Sequence, residues 1–338
     1  METTPKAMTK AIHMSIRKAL LKFGSATKRE LSEYLDISFP TISKFLKQME
    51  KDGEVFILGF DESSGGRRAI RYTYNPEYML GLALILEKTE TYYTIFNCMG
   101  DVKKRGSTQS VLLEKGLEFL TNFIETLLIE YPKIRSIAIG VPGAVDNGHV
   151  FFIPEYELFQ NLNIQKYLEE RLGIPVVVEN DMNAAVYGYY TVKGDEDMDS
   201  LVYLYSGYNG PGAGIMINGD VVRGSTFFSG EVRFIPQYND RNFGDVIQKK
   251  DDLNPVVIKE EEQIDAISRL IAAFVAIINP HEVIFCDFEV DENVLNAITE
   301  VSAKYVPAEH LPRLTSSNWK EDYFAGLQNL GCKLMITT

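Results

Sequence analysis

Residues 174–185 read Ile174-Pro-Val-Val-Val-Glu-Asn-Asp-Met-Asn-Ala-Ala185. The run Val176–Glu179 is apolar at its first three positions in succession. A half-exposed strand would alternate, so this is a strand expected to be buried on both faces, as in a parallel sheet. Asn180 and Asp181 follow it directly. Both residue types cap helices well, and both are suited to gripping a hydroxylated ligand at the end of a strand. At the level of these residues alone the two readings stay open.

Outward from that point, strands and helices alternate. Met79–Leu86 and Tyr92–Asn97 read as strands, Leu117–Glu130 as a helix, Ile134–Val141 as a buried strand and Leu162–Leu172 as a helix. Leu201–Tyr205 and Gly214–Ile217 read as a paired hairpin, Ile264–Ile278 as an apolar helix and Val283–Phe285 as the final strand, with helices Glu292–Tyr305 and Tyr323–Leu330 after it. Such an order implies mixed sheets with helices on their faces.

The first 76 residues differ in kind. Ile12 to Phe23 carries Ile12, Ile16 and Leu20 at helical spacing and stops at Gly24. Thr27 with Glu30 three residues on is a capping box for a second helix. After Asp36-Ile37, Ser38 caps a third helix with Pro40 in its first turn, ending at Asp52-Gly53. Val55–Gly59 and Ala69–Tyr74 read as strands joined by a wing whose tip is Gly65-Gly66-Arg67-Arg68. Two short helices across a tight turn, then a hairpin, make a winged helix-turn-helix. Its expected DNA contacts are Ser38, Thr41, Ser43, Lys44 and Lys47 on the third helix, in the major groove, and Arg67 and Arg68 on the wing. Asp61 and Glu62 at the wing base count mildly against this.

Charge supports the division. The 338-residue chain has net charge −13, but residues 1–76 hold 13 basic and 9 acidic residues (+4), and the remainder 21 and 38 (−17). A basic head on an acidic body confines phosphate contact to the head. No apolar run approaches the roughly 18 residues needed to cross a bilayer, and the first residues have no signal-peptide core. Cys98, Cys286 and Cys332 have neither disulfide nor metal-ligand spacing, so buried reduced thiols, a cytoplasmic location, no metal and no cofactor are expected.

Four blocks in order carry a resemblance: Ile139-Gly-Val-Pro-Gly-Ala-Val-Asp146, the Glu179-Asn-Asp-Met-Asn-Ala184 core of the opening stretch, Gly207-Tyr-Asn-Gly-Pro-Gly-Ala-Gly-Ile215 and Arg223-Gly-Ser-Thr-Phe-Phe-Ser-Gly-Glu-Val232. With them the chain resembles the ROK family of repressors, open reading frames and sugar kinases. The resemblance implies an α/β fold: an N-terminal winged helix-turn-helix, 1–76, followed by a duplicated actin-like, ribonuclease H-like sugar-kinase fold with lobes 77–190 and 191–338. In the family's kinases the carboxylate matching Asp181 is the general base. The resemblance further implies that Asn180 binds a neighbouring hydroxyl and Glu231 grips the sugar.

Other parts depart from the kinase pattern. Where the family opens with Asp-x-Gly-Gly-Thr at the ATP phosphates, this chain has Ala83-Leu84-Ile85-Leu86-Glu87, and for the Gly-Gly pair under adenine it has Cys286-Asp287. Arg233 and Phe234 replace the Gly and His of the zinc-binding segment, and no cysteine lies between Glu231 and Ile284. The expectation is a sugar-responsive regulator, not an enzyme, that binds double-stranded DNA, takes a sugar or sugar phosphate as effector and assembles at least as a homodimer. An active sugar kinase with a fused DNA-binding head, and a dimeric DNA-binding protein blind to any ligand, are the competing readings.

Overall fold

Ser38 and Thr27 show how local chemistry sets the head. The computed structural model describes residues 5–60, 68–112, 116–153, 156–193, 198–207, 210–247 and 256–337. Helix α1 (Pro5–Phe23) begins a turn or two before its apolar periodicity does and ends at Gly24, φ +71°. The two-residue strand β1 (Ala26–Thr27) leads into α2 (Lys28–Leu35), where the Thr27 side chain accepts from Glu30 N and the Glu30 carboxylate accepts from Thr27 N, 2.7 Å. Asp36, in the left-handed region at φ 53°, turns the chain toward α3 (Phe39–Lys51), capped by Ser38. Strands β2 (Val55–Phe60) and β3 (Ile70–Tyr74) complete a sheet of order β1-β3-β2. Ile16, Leu20, Leu31, Ile42, Leu46 and Tyr72 fill the core beneath. The wing tip, with Arg67, lies outside the described residues.

The body repeats one plan twice. Strands β4 (Leu80–Leu86), β5 (Glu90–Asn97) and β6 (Val102–Gln109) form an antiparallel meander. Helix α4 (Gly116–Glu130) precedes β7 (Ile134–Val141), which runs parallel to β4. A small sheet of β8 (Ala144–Asp146), β9 (His149–Phe152) and β10 (Leu162–Asn163) follows, then α5 (Ile164–Leu172) and β11 (Val176–Asn180), parallel to β7. The order is β11-β7-β4-β5-β6. Helix α6 (Asp181–Lys193) then leads to β12 (Leu201–Tyr205), β13 (Gly212–Ile217) and β14 (Asp220–Val221), a second meander. After β15 (Pro236–Tyr238), β16 (Arg241–Asn242), α7 (Phe243–Ile247) and α8 (Glu261–Ile277), β17 (Glu282–Cys286) lies parallel to β12. Helix α9 (Glu292–Ser302), β18 (Arg313–Ser317), parallel to β17, and α10 (Trp319–Thr337) finish the chain. The second order, β14-β13-β12-β17-β18, reproduces the first: three antiparallel strands extended by two parallel ones.

Helices α6 and α10 cross between the sheets, α6 touching β12 and β13, α10 touching β4 and β7. The crossing is unusually close because two glycines face backbone. A Cβ on Gly188 would lie 1.8 Å from the Asp322 carbonyl oxygen, and one on Gly326 1.9 Å from that of Ala184. One apolar cluster runs from the head core through Met79, Phe96 and Met335 into this layer.

Three readings from sequence need correction. Val283–Phe285 is not the final strand, because Arg313–Ser317 pairs beyond it. Val102–Gln109, a polar edge strand exposed at most positions, was not anticipated. Leu162 and Asn163 belong to a strand, and the Asn163 side chain caps the helix read as starting at Leu162.

Candidate functional site

The cleft lies where parallel strands end at their carboxyl edge, the usual ligand position in open α/β sheets. Pro142 and Gly143 follow β7, Asn180 ends β11, and Tyr205 ends β12; Gly210–Ala213 and Ser229–Glu231 close the other side. The cleft brings Asn180, Asp181 and Glu231 together. Gly230, at φ +94°, makes the close approach possible: a Cβ there would lie 2.0 Å from the Ala213 carbonyl oxygen.

Asn180 caps α6. Its Oδ1 accepts from Asn183 N at 2.9 Å, while its Nδ2 donates to Gly143 O at 3.1 Å and to Asp181 Oδ1 at 2.9 Å. Asp181 Oδ1 also accepts from Met182 N at 2.8 Å. Asp181 Oδ2 and the Glu231 carboxylate accept no hydrogen bond from the described residues, although Asp181 is buried and Glu231 half-buried. Burial, reinforced by the Glu231 charge, pushes the Asp181 carboxyl up to about 7. Burial raises Glu231 as well, opposed by the Arg233 guanidinium. Glu179 is tied by a short ion pair to Arg223 and accepts from Asn183 Nδ2 at 3.2 Å, which joins β11 to the loop that carries Glu231. Phe234 is not in the cleft wall. It lies outside with Phe152 and Phe228, ring centroids 6.2 and 5.5 Å away.

Glu87 and the Cys286-Asp287 pair meet in a neighbouring cavity, also lined by Tyr92, Tyr205 and Trp319. Ala83, Ile85 and Leu86 are fully buried within β4 and line no cavity wall there. Glu87 Oε1 is buried without a hydrogen-bond partner. Burial first, and then the Asp181 charge, push this carboxyl up to about 8. Tyr205 separates the two cavities and stacks on Trp319. Sequence reasoning overlooked Tyr205, although its place at a strand end before a glycine-rich loop marked it. Among the described residues no group of three His, Cys, Asp or Glu is placed to hold a metal ion, and no helix is long and apolar enough to cross a membrane.

On the head, Lys44 and Lys47 are exposed and pair with no anion among the described residues. Ser38 Oγ and Thr41 Oγ1 share a hydrogen bond of 2.8 Å at the exposed α3 N-terminus. Ser43 is half-buried and accepts from Lys28 Nζ at 3.1 Å, which adds Lys28 to this surface. Arg68 is exposed.

Comparison with known proteins bears on both parts. Residues 89–246 match the ROK family. A Caldicellulosiruptor sp. (strain Rt8B.4) protein provisionally named a xylose repressor is 30% identical over 67% of this chain and 59% of its own length. The xylose repressor of Bacillus spizizenii (strain W23) is 26% identical over 64% and 57%. The chain thus spans less than two thirds of the length of these relatives. A crystal structure described as a ROK family transcriptional regulator, homologue of the E. coli MLC protein, superposes with TM-score 0.74 at 19% identity, over 98% of this chain and 97% of that one. A ROK hexokinase from Thermus thermophilus superposes with TM-score 0.59 at 20% identity, over 76% and 97%. The duplicated actin-like α/β fold is shared with both, and residues 89–246 form a ROK family domain.

Proposed function

We propose that this chain is a sugar-responsive transcription regulator: residues 1–76 bind duplex DNA, and lobes 77–190 and 191–338 bind an uncharged carbohydrate and hold a homodimer. The observation that carries the reading is that Asp181 and Glu231 line one cleft, where Asp181 Oδ2 and the Glu231 carboxylate accept no hydrogen bond from the described residues although Asp181 Oδ1 is held by Asn180 and Met182. Polar groups left unpaired in a buried place are costly unless something completes them. Ring hydroxyls, which both donate and accept, suit carboxyl oxygens; a phosphate would be repelled by them. Asn180, whose amide is already used, acts by holding Asp181. The relatives named for xylose repression support a sugar effector and a repressor role.

The same reading makes the body catalytically silent. An alcohol could lose its proton to Asp181, but phosphoryl transfer also needs the triphosphate held and its charge offset. Glu87 and Asp287, at the positions of the family's phosphate and adenine motifs, line the cavity beside the cleft together with Tyr205 and Trp319, and a carboxyl there disfavours phosphate. DNA contact falls to Lys44 and Lys47, with Ser38, Thr41 and Ser43 on or beside the same helix, and to the wing arginines Arg67 and Arg68.

The test has two arms on the full chain. Calorimetric titration with xylose, N-acetylglucosamine and their phosphates should find one uncharged sugar that binds, weakened by roughly 1–3 kcal/mol in Asp181→Ala and in Glu231→Ala. Fluorescence anisotropy with the promoter DNA upstream of the chain's own gene should find an affinity altered by that sugar. If no sugar binds, the dimeric, ligand-blind reading replaces this one; ATP-dependent phosphorylation abolished by Asp181→Ala would establish the kinase.

A further inference from the structure

One helix joins the cleft to the head. At its first residue, Trp319 stacks on Tyr205, which lines the cleft. Its first turns are held on both sides: Arg105 of β6 pairs with the Glu321 carboxylate through both oxygens, 2.6 and 2.8 Å, and Tyr203 OH donates to Asp322 Oδ2 at 2.9 Å. In the middle, Gly326 meets the backbone of α6, whose first residue is Asp181. At its far end, roughly 25 Å away at 1.5 Å per residue, Arg17 of α1 donates from Nη1 to the carbonyls of Met335, 3.5 Å, and Ile336, 3.3 Å. The last carbonyls of a helix have no partner within it, and a cation there is favoured.

Arg17 is not a casual surface contact. It is 7% exposed, and its Nε donates to Glu54 Oε1 at 2.8 Å. Glu54 is fully buried and also receives Tyr74 OH at 3.0 Å and His13 Nε2 at 2.6 Å. Burial works against its ionisation, but the His13 hydrogen bond and the Arg17 charge hold the carboxyl below its usual range. Glu54 follows α3 and opens the hairpin, and Tyr74 closes it. The guanidinium therefore has one side on the frame of the DNA-binding head and the other on the end of α10.

We propose that α10 is a transmission rod: a change in packing at its Trp319 end, in the cleft wall, reaches the head through the hydrogen bonds between Arg17 and the Met335 and Ile336 carbonyls. The idea rests on the cleft being a ligand site, yet its test needs neither ligand nor DNA. Coupling between sites requires an element whose arrangement both ends bias. A helix gripped at each end, and unable to slip past α6 because backbone meets backbone at Gly188 and Gly326, is such an element.

Amide hydrogen exchange by mass spectrometry on the full chain tests it with Tyr205→Leu, Arg17→Gln and the double variant. Tyr205→Leu removes the stack and should raise exchange several-fold in α1 as well as at the start of α10. Arg17→Gln should abolish the response in α1, so that in that segment the double variant exchanges like Arg17→Gln alone. Arg17→Lys, which keeps a cationic donor, should restore part of it. An α1 response of equal size with and without Arg17 overturns the proposal by placing the route through the 75–79 connection. So does loosening confined to the start of α10. If Tyr205→Leu does not fold, Trp319→Phe makes the same perturbation more gently and is judged by the same outcomes. A failure to find any sugar would leave these exchange results as they are, so the two proposals fail separately.

Discussion

The phenol ring of Tyr205 lies on the indole of Trp319 with centroids 4.4 Å apart and planes 7° from parallel. Trp319 is the only tryptophan in the chain. Tyr205 also forms a wall of the Asp181 cleft. A sugar that docks there must therefore touch the stacking partner of the chain's one indole fluorophore. Titration with a binding sugar is expected to change Trp319 emission saturably, with the same midpoint as the calorimetric isotherm. Asp181→Ala should shift that midpoint to higher concentration. Calorimetric binding with a silent tryptophan would place the sugar away from Tyr205.

Three buried carboxyls should shape the response to pH. Glu87 is pushed up to about 8, Asp181 to about 7 and Glu289 to about 8, in each case first by burial. An acid whose pKa is higher in the folded chain binds its proton more tightly there. Its contribution to stability is full below the unfolded value, near 4, and is lost as pH rises through the folded value of 7–8. Glu87 has no partner for Oε1, so an amide there avoids the charge. Glu87→Gln is expected to be more stable than the parent at pH 8.5 by roughly 1–3 kcal/mol and nearly equal to it at pH 5. Urea denaturation at the two values checks this; an equal difference at both would mean that Glu87 does not titrate in this range.

Much of this architecture was legible because burial and capping leave local marks. Val176–Glu179 and Ile134–Val141 lie in parallel strands, β11 at the edge of the sheet and β7 inside it, and most of their residues are buried and apolar. Thr27 and Ser38 are caps whose side chains bond within three residues, so the helix starts could be read directly. Val102–Gln109 was illegible because an edge strand needs no apolar face and its Lys and Arg residues are exposed. Arg313–Ser317 is short and mostly polar, and only its pairing with β17 defines it. The cleft was legible in Asp181 and Glu231 through family blocks. Tyr205, Trp319 and Arg17 were not, because their roles come from contacts across more than a hundred residues of chain.

The crossing of α6 and α10 makes a sharp test of packing. Gly326 has ordinary helical backbone, so alanine would favour the helix by itself. Its added methyl would nevertheless meet the Ala184 carbonyl oxygen at 1.9 Å, a backbone atom that cannot swing aside. Gly326→Ala is expected to cost roughly 1–3 kcal/mol, as overpacked sites do, while Gly173→Ala, at a helix end with nothing within 4 Å but φ +65°, costs only its backbone strain. A Gly326→Ala variant as stable as the parent would show that the helices can separate, and would weaken the case for α10 as a rod.

On the head, Ser38, Lys44 and Lys47 make different predictions although all lie on or beside α3. Lys44 and Lys47 are exposed and pair with no anion among the described residues, so removing either should leave folding untouched and lose a phosphate contact. Each alanine variant should bind all duplex sequences more weakly by a similar factor and lower the slope of log affinity against log salt by about 1. Ser38 accepts from Thr41 N at 3.4 Å and caps the helix. Ser38→Ala should cost about 1 kcal/mol of stability for the lost cap, and should weaken DNA binding with no change in the salt slope, because no charge is removed. Anisotropy titrations between 50 and 200 mM salt, on the order of the range over which counterion release is usually resolved, separate the two behaviours. A lysine variant with an unchanged slope would mean that α3 does not face the phosphate backbone, and the head would then have to meet DNA through the wing alone.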